Sequence, residues 1–176
     1  LEERIPAEWE HDYFVVARTT MSASQDSRSV RAAIIPRVAI GNSLAVIYPK
    51  FDDPRLHMAL LAFLNSIVID YCAKKKVSGA NLNGYIIRQL PFIDFKELSD
   101  EDIDFLAKRV HELLLANGSL PKTLNIFGPA RAPSALEDMS FLSGEIDAYI
   151  ANLYGLSKEE LAYIYDPTQI YGEDFP

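Results

Sequence analysis

The stretch "FDDPRLHMALLAFLNSIVIDYCAKKK", residues 51 to 76, decides the fold. Asp53 followed by Pro54 opens a helix well, because an aspartate N-cap accepts a free backbone N–H and proline at the first helical position has none to lose. Behind it Leu56, Ala59, Leu60, Phe63, Leu64, Ile67, Val68 and Tyr71 recur at i, i+3, i+4, i+7 spacing, which predicts one helix over about residues 54 to 73. Leu61, Ala62 and Ile69 make the remaining face apolar too, so the helix is expected to be buried on more than one side. Lys74, Lys75 and Lys76 with Gly79 just beyond mark its end, where cations complement the helix dipole.

On the N-terminal side, "DYFVVART" (12 to 19), "RAAIIPRVA" (31 to 39) and "SLAVIYP" (43 to 49) are short runs rich in Val, Ile, Tyr and Phe between turn formers, and they read as three strands. Pro36 removes a ladder donor from the second, which places that strand, or that end of it, at an edge or a bulge. On the C-terminal side, "SGANLNGYIIRQLPFIDF" (78 to 95) reads as a loop, about one helical turn or a strand, and a final extended run through Phe92 and Ile93. Ser99 with Asp102 resembles a capping box, and Ile103, Leu106, Val110, Leu113 and Leu114 carry a helical stripe to Asn117-Gly118. Residues 119 to 133 are an irregular connection. Ser134 with Glu137 and Ser157 with Glu160 cap two more helices, the first striped by Leu142, Ile146, Tyr149, Ile150 and Leu153. The expected fold is therefore α+β: a small, mainly antiparallel twisted sheet packed on a long buried helix, with a helical C-terminal extension. Residues 1–96, with a core at 12–96, form the first unit and residues 97–176 an acidic helical extension.

The 176 residues, 49% of them hydrophobic, are enough to bury a core. The single cysteine, Cys72, excludes an internal disulfide framework and fits a reducing cytoplasm. Neither a signal peptide nor an apolar run of about 18 residues is present, so no membrane is expected. The chain starts with Leu rather than Met, and the expectation is a fragment of a longer protein. Net charge is −8, which taken whole argues against nucleic acid. Its distribution argues otherwise: residues 13 to 96 hold 11 Lys+Arg against 5 acids, whereas residues 97 to 176 hold 5 against 15. Such asymmetry is a partner signal.

No catalytic signature emerges. His11, His57 and His111 are far apart in sequence and lack neighbouring ligand types, and Cys72 near the end of the apolar helix reads as an inert thiol. No phosphate-binding glycine loop, Gly-x-Ser-x-Gly elbow or His-Glu-x-x-His occurs. "DFK" (94 to 96) lacks the other half of a nuclease motif, and a capping role accounts for Asp53 beside Asp52.

The segment "ARTTMSASQDSRSVRAAIIPR", 17 to 37, is different. Arg18, Arg28, Arg31 and Arg37 either pair with Asp26 or the acidic helices, or they face an anionic partner. Arginines give bidentate contacts to guanine edges or phosphates, and Ser22, Ser24, Gln25, Ser27 and Ser29 can donate to the same groups. Lys74, Lys75 and Lys76 suit backbone phosphates as well as the helix dipole. Asn81, Asn83, Tyr85, Arg88 and Gln89 are a second group with base-reading chemistry, or else an ordinary polar turn.

The order "YFVVART…RSVRAAIIPR", then "LLAFLNSIVIDYCAKKKVSGANLNGYIIRQLPFI", resembles the TaqI-like C-terminal specificity domain of type IIG restriction and modification methyltransferases, a relative of the target-recognition domains in type I specificity subunits. The helix containing "LNS", the following Gly/Asn loop and the "LPF" strand are its most specific elements, and "GEIDAYIANLYGLSKEELAYI" (144 to 164) is similar to the segment that often closes such proteins. The resemblance covers about residues 12 to 96 and 140 to 165. It implies a DNA sequence-recognition domain of a type II restriction-modification adenine-N6 DNA methyltransferase, binding double-stranded DNA and positioning the chain's own upstream methyltransferase domain. S-adenosylmethionine is expected for that upstream domain, with restriction endonuclease activity in some members. The Asn-Pro-Pro-Tyr motif and the glycine-rich cofactor motif are absent from this chain, so no cofactor and no catalysis are expected of it alone. The DNA-facing residues implied are Arg18, Ser24, Gln25, Ser27, Arg28, Arg31, Lys74, Lys75, Lys76, Asn81, Asn83, Tyr85 and Arg88. The rival expectation is a protein-interaction scaffold whose basic face docks an acidic partner.

Overall fold

A computed structural model describes residues 5–20, 28–77, 81–128, 136–166 and 168. Three strands, β1 (Tyr13–Arg18), β2 (Ala32–Pro36) and β3 (Leu44–Ile47), form an antiparallel sheet in the order β2-β1-β3. The central strand β1 is a continuous apolar run because both its faces are covered, and Tyr13 to Ala17 are all buried. The edge position of β2 agrees with the reading of Pro36, which lies opposite Tyr13 at the end of the strand. Arg18 N–H donates to Arg31 C=O and Arg37 N–H to Asp12 C=O, both at 2.9 Å. Alternation along an antiparallel ladder then turns the backbone groups of residues 31, 33, 35 and 37 toward β1 and those of 32, 34 and 36 outward. Proline at 36 thus loses no ladder bond.

The predicted single helix is two. α1 (Pro54–Asn65) and α2 (Ile67–Lys76) meet at Ser66 with a bend of 57°. Ser66 is extended, with φ −70° and ψ 149°. Its hydroxyl donates to Phe63 C=O at 2.8 Å and accepts from Ile69 N–H at 3.3 Å, so one side chain closes the first helix and caps the second. Periodicity did not reveal the break because residues on both sides of it, Leu64 and Ile67, are buried. Asp53 caps α1 as read, accepting from Arg55 N–H at 2.9 Å.

Beyond α2 comes a one-turn helix α3 (Gly84–Ile87). Phe92 and Ile93 join no strand among the described residues. Pro91 has no N–H to offer a ladder, and the chain turns tightly there, with Phe92 N–H donating to Leu90 C=O at 2.8 Å. α4 (Asp100–Ala116) starts on the Ser99–Asp102 capping box and stops at Gly118, whose φ of 63° lets Ser119 N–H return to Leu114 C=O at 2.9 Å. A 3-10 turn at Lys122–Leu124 leads toward α5 (Leu136–Leu153), and α6 (Lys158–Tyr165) opens on the Ser157–Glu160 capping box. Ser134, expected to cap α5, lies outside the described residues.

α1 is sandwiched between the sheet and α4, which accounts for its burial around the helix: His57 through Leu64 are all inaccessible or nearly so. One apolar cluster runs from Trp9 through β1, α1, α2 and α4 to Ile150 and Ala151 on α5, so residues on either side of position 96 share a core. Among the described residues no single helix is long and apolar enough to cross a membrane.

Candidate nucleic-acid interface

The arginine-rich segment divides into an inward and an outward part. Arg28 turns inward. Its guanidinium donates to Asn65 C=O at 3.0 Å and pairs with Asp147 of α5 at 3.4 Å, leaving 31% of its side chain exposed. Asp147 is buried, and its other oxygen accepts from Ile67 N–H at 2.7 Å, a donor left orphaned at the start of α2. Tyr165 of α6 donates to Asp147 at 2.7 Å, and burial together with that carboxylate drives the Tyr165 hydroxyl well above the usual phenol range. Asn65 completes the junction by spanning Ala32: its amide nitrogen donates to Ala32 C=O at 3.0 Å and its oxygen accepts from Ala32 N–H at 2.9 Å. The "LNS" element therefore works as a polar clip joining β2, α1, α2, α5 and α6. The reading of Arg28 as a DNA contact meets here the alternative of pairing with the acidic helices, and Asn65 and Asp147, the partners described for it, are internal.

Asp70 does the same one turn farther along α2. Fully buried, it accepts from Ser29 N–H at 2.6 Å and Val30 N–H at 2.8 Å, while the Lys74 ammonium lies 3.1 Å from its second oxygen. That carboxylate pins the chain immediately before Arg31 to the helix that ends in Lys74, Lys75 and Lys76. Arg31 sits opposite Arg18 across the β2–β1 ladder, and the chain beyond β1 continues into an isolated bridge between Thr20 and Asn81. Leu82 N–H donates to Thr19 C=O at 2.7 Å, which joins the 81–88 segment to the same end of the sheet. Arg31, Lys74, Lys75, Lys76, Asn81, Asn83, Tyr85 and Arg88 are exposed there, and Arg18 is half-buried. Lys75 also stands 5.3 Å from the centre of the Tyr71 ring.

The mount for α3 is rigid: Leu82, Ile86, Ile87 and Leu90 are buried, whereas Tyr85 between them is 61% exposed with Arg88 one turn on. Asn83 caps α3 through its backbone without a side-chain bond, so its amide is not used by the helix. Ser24, Gln25 and Ser27 lie outside the described residues.

Sequence separation concealed one polar cluster. His11 and His57 meet with ring centres 4.8 Å apart, enclosed by Trp9, Tyr13 and Phe51. His57 Nε2 must be the donor to Phe51 C=O at 2.7 Å, since a carbonyl only accepts; Nδ1 then accepts from the Tyr13 hydroxyl. Burial lowers the His57 pKa and holds the ring neutral, and burial likewise raises the Tyr13 hydroxyl. Both groups are saturated within the core, which leaves them no chemistry to offer a substrate. Burial raises the Cys72 thiol as well, the reverse of an activated nucleophile. Among the described residues no group of three or more His, Cys, Asp or Glu is placed to hold a metal ion.

Compared with protein-family models, with curated proteins and with solved structures, the chain matches none of them.

Proposed function

We propose that the chain is a DNA sequence-recognition module, serving a type II restriction-modification adenine methyltransferase whose catalytic domain lies upstream and binds S-adenosylmethionine. The observation that carries the reading is the gathering, at one end of the sheet, of cations and amides that are distant in sequence: Arg18 and Arg31 across one ladder, Lys74 of α2 joined through Asp70 to the chain just before Arg31, and Asn81 bridged to Thr20. Lysines and arginines there supply phosphate contacts and counterion release, while the amides, Tyr85 and Arg88 supply groups able to meet base edges. The exposed Leu136 and Phe141 of α5, 81% and 69% accessible, suit the methyltransferase body as their cover. Binding to a pool of random duplexes, followed by sequencing of the retained fraction, tests the proposal. Enrichment of one short site, with log affinity falling linearly in log salt, is the expected result. Salt-dependent retention without enrichment would reduce the chain to a sequence-independent binder, and no retention would favour the scaffold reading.

A further inference from the structure

Asp70 is fully buried on α2, and one of its oxygens accepts from two successive backbone groups, Ser29 N–H at 2.6 Å and Val30 N–H at 2.8 Å. Both donors belong to buried residues, where a backbone N–H needs an acceptor within the protein. The next residue, Arg31, gives its C=O to Arg18 N–H of β1 at 2.9 Å. The backbone at Arg31 is thus held from two directions, by the sheet and by the helix. A neutral amide can bond such groups, as Asn65 does for Ala32 at 2.9 and 3.0 Å. Asp70 differs in being an ion, whose hydrogen bonds are shorter and stronger, and the Lys74 ammonium 3.1 Å from its second oxygen supplies the counter-charge that burial demands. The arrangement so fixed sets the exposed Arg31 against the helix end that carries Lys74, Lys75 and Lys76.

We infer that Asp70, though buried away from any duplex, is a positioning residue for sequence recognition: by holding Ser29 and Val30 it sets where Arg31 meets DNA. The inference rests on the DNA reading above. A cation on the phosphate backbone fixes the register of a protein on the duplex, and register decides which base edges Asn81, Asn83 and Arg88 reach. Loosening residues 29 to 31 therefore weakens discrimination between sequences more than attraction to DNA, because every cation of the surface remains in place.

The test is the ratio of affinities for two duplexes at one salt concentration, the duplex enriched from the random pool and a scrambled duplex of the same composition. Partial unfolding lowers both affinities alike and removal of a negative charge raises both, so a purely structural or purely electrostatic role leaves the ratio unmoved. Asp70→Ala should lower the ratio about tenfold, whereas Asp70→Asn, whose amide oxygen can still accept from both N–H groups, should stay within about threefold of the parent chain. An Ala variant with the parent's ratio overturns the inference. So does an Asn variant as poor as the Ala one, since the effect would then follow the charge and not the two backbone bonds. A parent chain that prefers no sequence defeats the DNA reading itself, a result distinct from either. Hydrogen exchange in the unaltered chain decides the matter even where the Ala variant does not fold: without DNA, the Ser29 and Val30 amides should exchange roughly tenfold or more slowly than those of an unstructured segment. Unprotected exchange until duplex is added would show that DNA, and not Asp70, orders the segment, and would overturn the inference.

Discussion

At the helix break around Ser66, polar and charged groups gather on two buried carboxylates: Asp147 serves Ile67, Arg28 and Tyr165, and Asp70 serves Ser29, Val30 and Lys74. At the open end of the sheet, the same residue types stand at the surface on a backbone that is itself well tied down. Arg28 and Arg31 belong to one short segment, yet Arg28 reaches a buried carboxylate while Arg31 stands at the surface. The comparison teaches that a charge pattern does not assign a charge to structure or to recognition; the assignment comes from what the fold brings within reach. Here a buried carboxylate on a helix from the acidic half claims one arginine of the basic half.

The sharpest way to break the comparison is to remove the hub of the enclosed region. Asp147→Ala strips partners from a helix-start N–H, a tyrosine hydroxyl and a guanidinium at once, and a loss of about 3–5 kcal/mol in chemical denaturation is expected. A loss near zero would mean that the junction holds nothing together.

The core imidazole comes next. His57→Phe leaves the Tyr13 hydroxyl and Phe51 C=O unpaired in the interior, and should destabilise by about 2–4 kcal/mol at neutral pH. Because burial holds the folded His57 pKa below the ordinary imidazole value of 6.5, the unfolded chain takes up a proton first as the medium is acidified. Stability from this group is therefore full above about pH 6.5 and declines as pH falls from there through the folded value. The variant should lack that decline. Asp53 and Asp102, held low by hydrogen bonds from Arg55 and Ser99, add a separate loss as pH falls below 3.8 through their folded values.

Much of the fold was legible because its signals are local. The three strands, the edge position given by Pro36 and the caps at Asp53, Ser99 and Ser157 each depend on a few neighbouring residues whose chemistry has one good use. The break at Ser66 was hidden in an apolar pattern that stayed in phase with burial, although Asn65-Ser66, both able to bond their own backbone, stood where such a break belongs. The His11–His57 contact and the Arg28–Asp147 pair were illegible in principle, since each joins residues brought together only by tertiary packing. The gathering of Arg18, Arg31 and Asn81 was half-legible: composition marked the residues as candidates, and the strand pairing supplied their proximity.

Arg28→Ala sharpens the boundary between the regions. Part of the guanidinium is solvated and its bond to Asp147 is long at 3.4 Å, so the expected cost is about 1–2 kcal/mol of stability. Its effect on DNA should be confined to that folding loss: at temperatures where the variant is fully folded, the salt dependence of duplex binding should match the parent chain. A shallower slope would return Arg28 to the phosphate contacts.

The smallest effect on stability, and the most telling for function, is expected from the combined variant Lys75→Ala, Lys76→Ala, Arg88→Ala. All three side chains are exposed, so denaturation should shift by less than about 0.5 kcal/mol. If all three neutralise phosphates, the slope of log affinity against log salt should become shallower by about 2.7, at roughly 0.9 for each contact. A shallower slope with unchanged site preference would place them on the backbone of the duplex. A change of preferred sequence with a smaller slope change would single out Arg88, the one of the three whose guanidinium can bond a base edge in two places. An unchanged slope with undiminished affinity would remove Lys75, Lys76 and Arg88 from the DNA contacts, leaving that part of the open region without the partner that distinguishes it from the enclosed one.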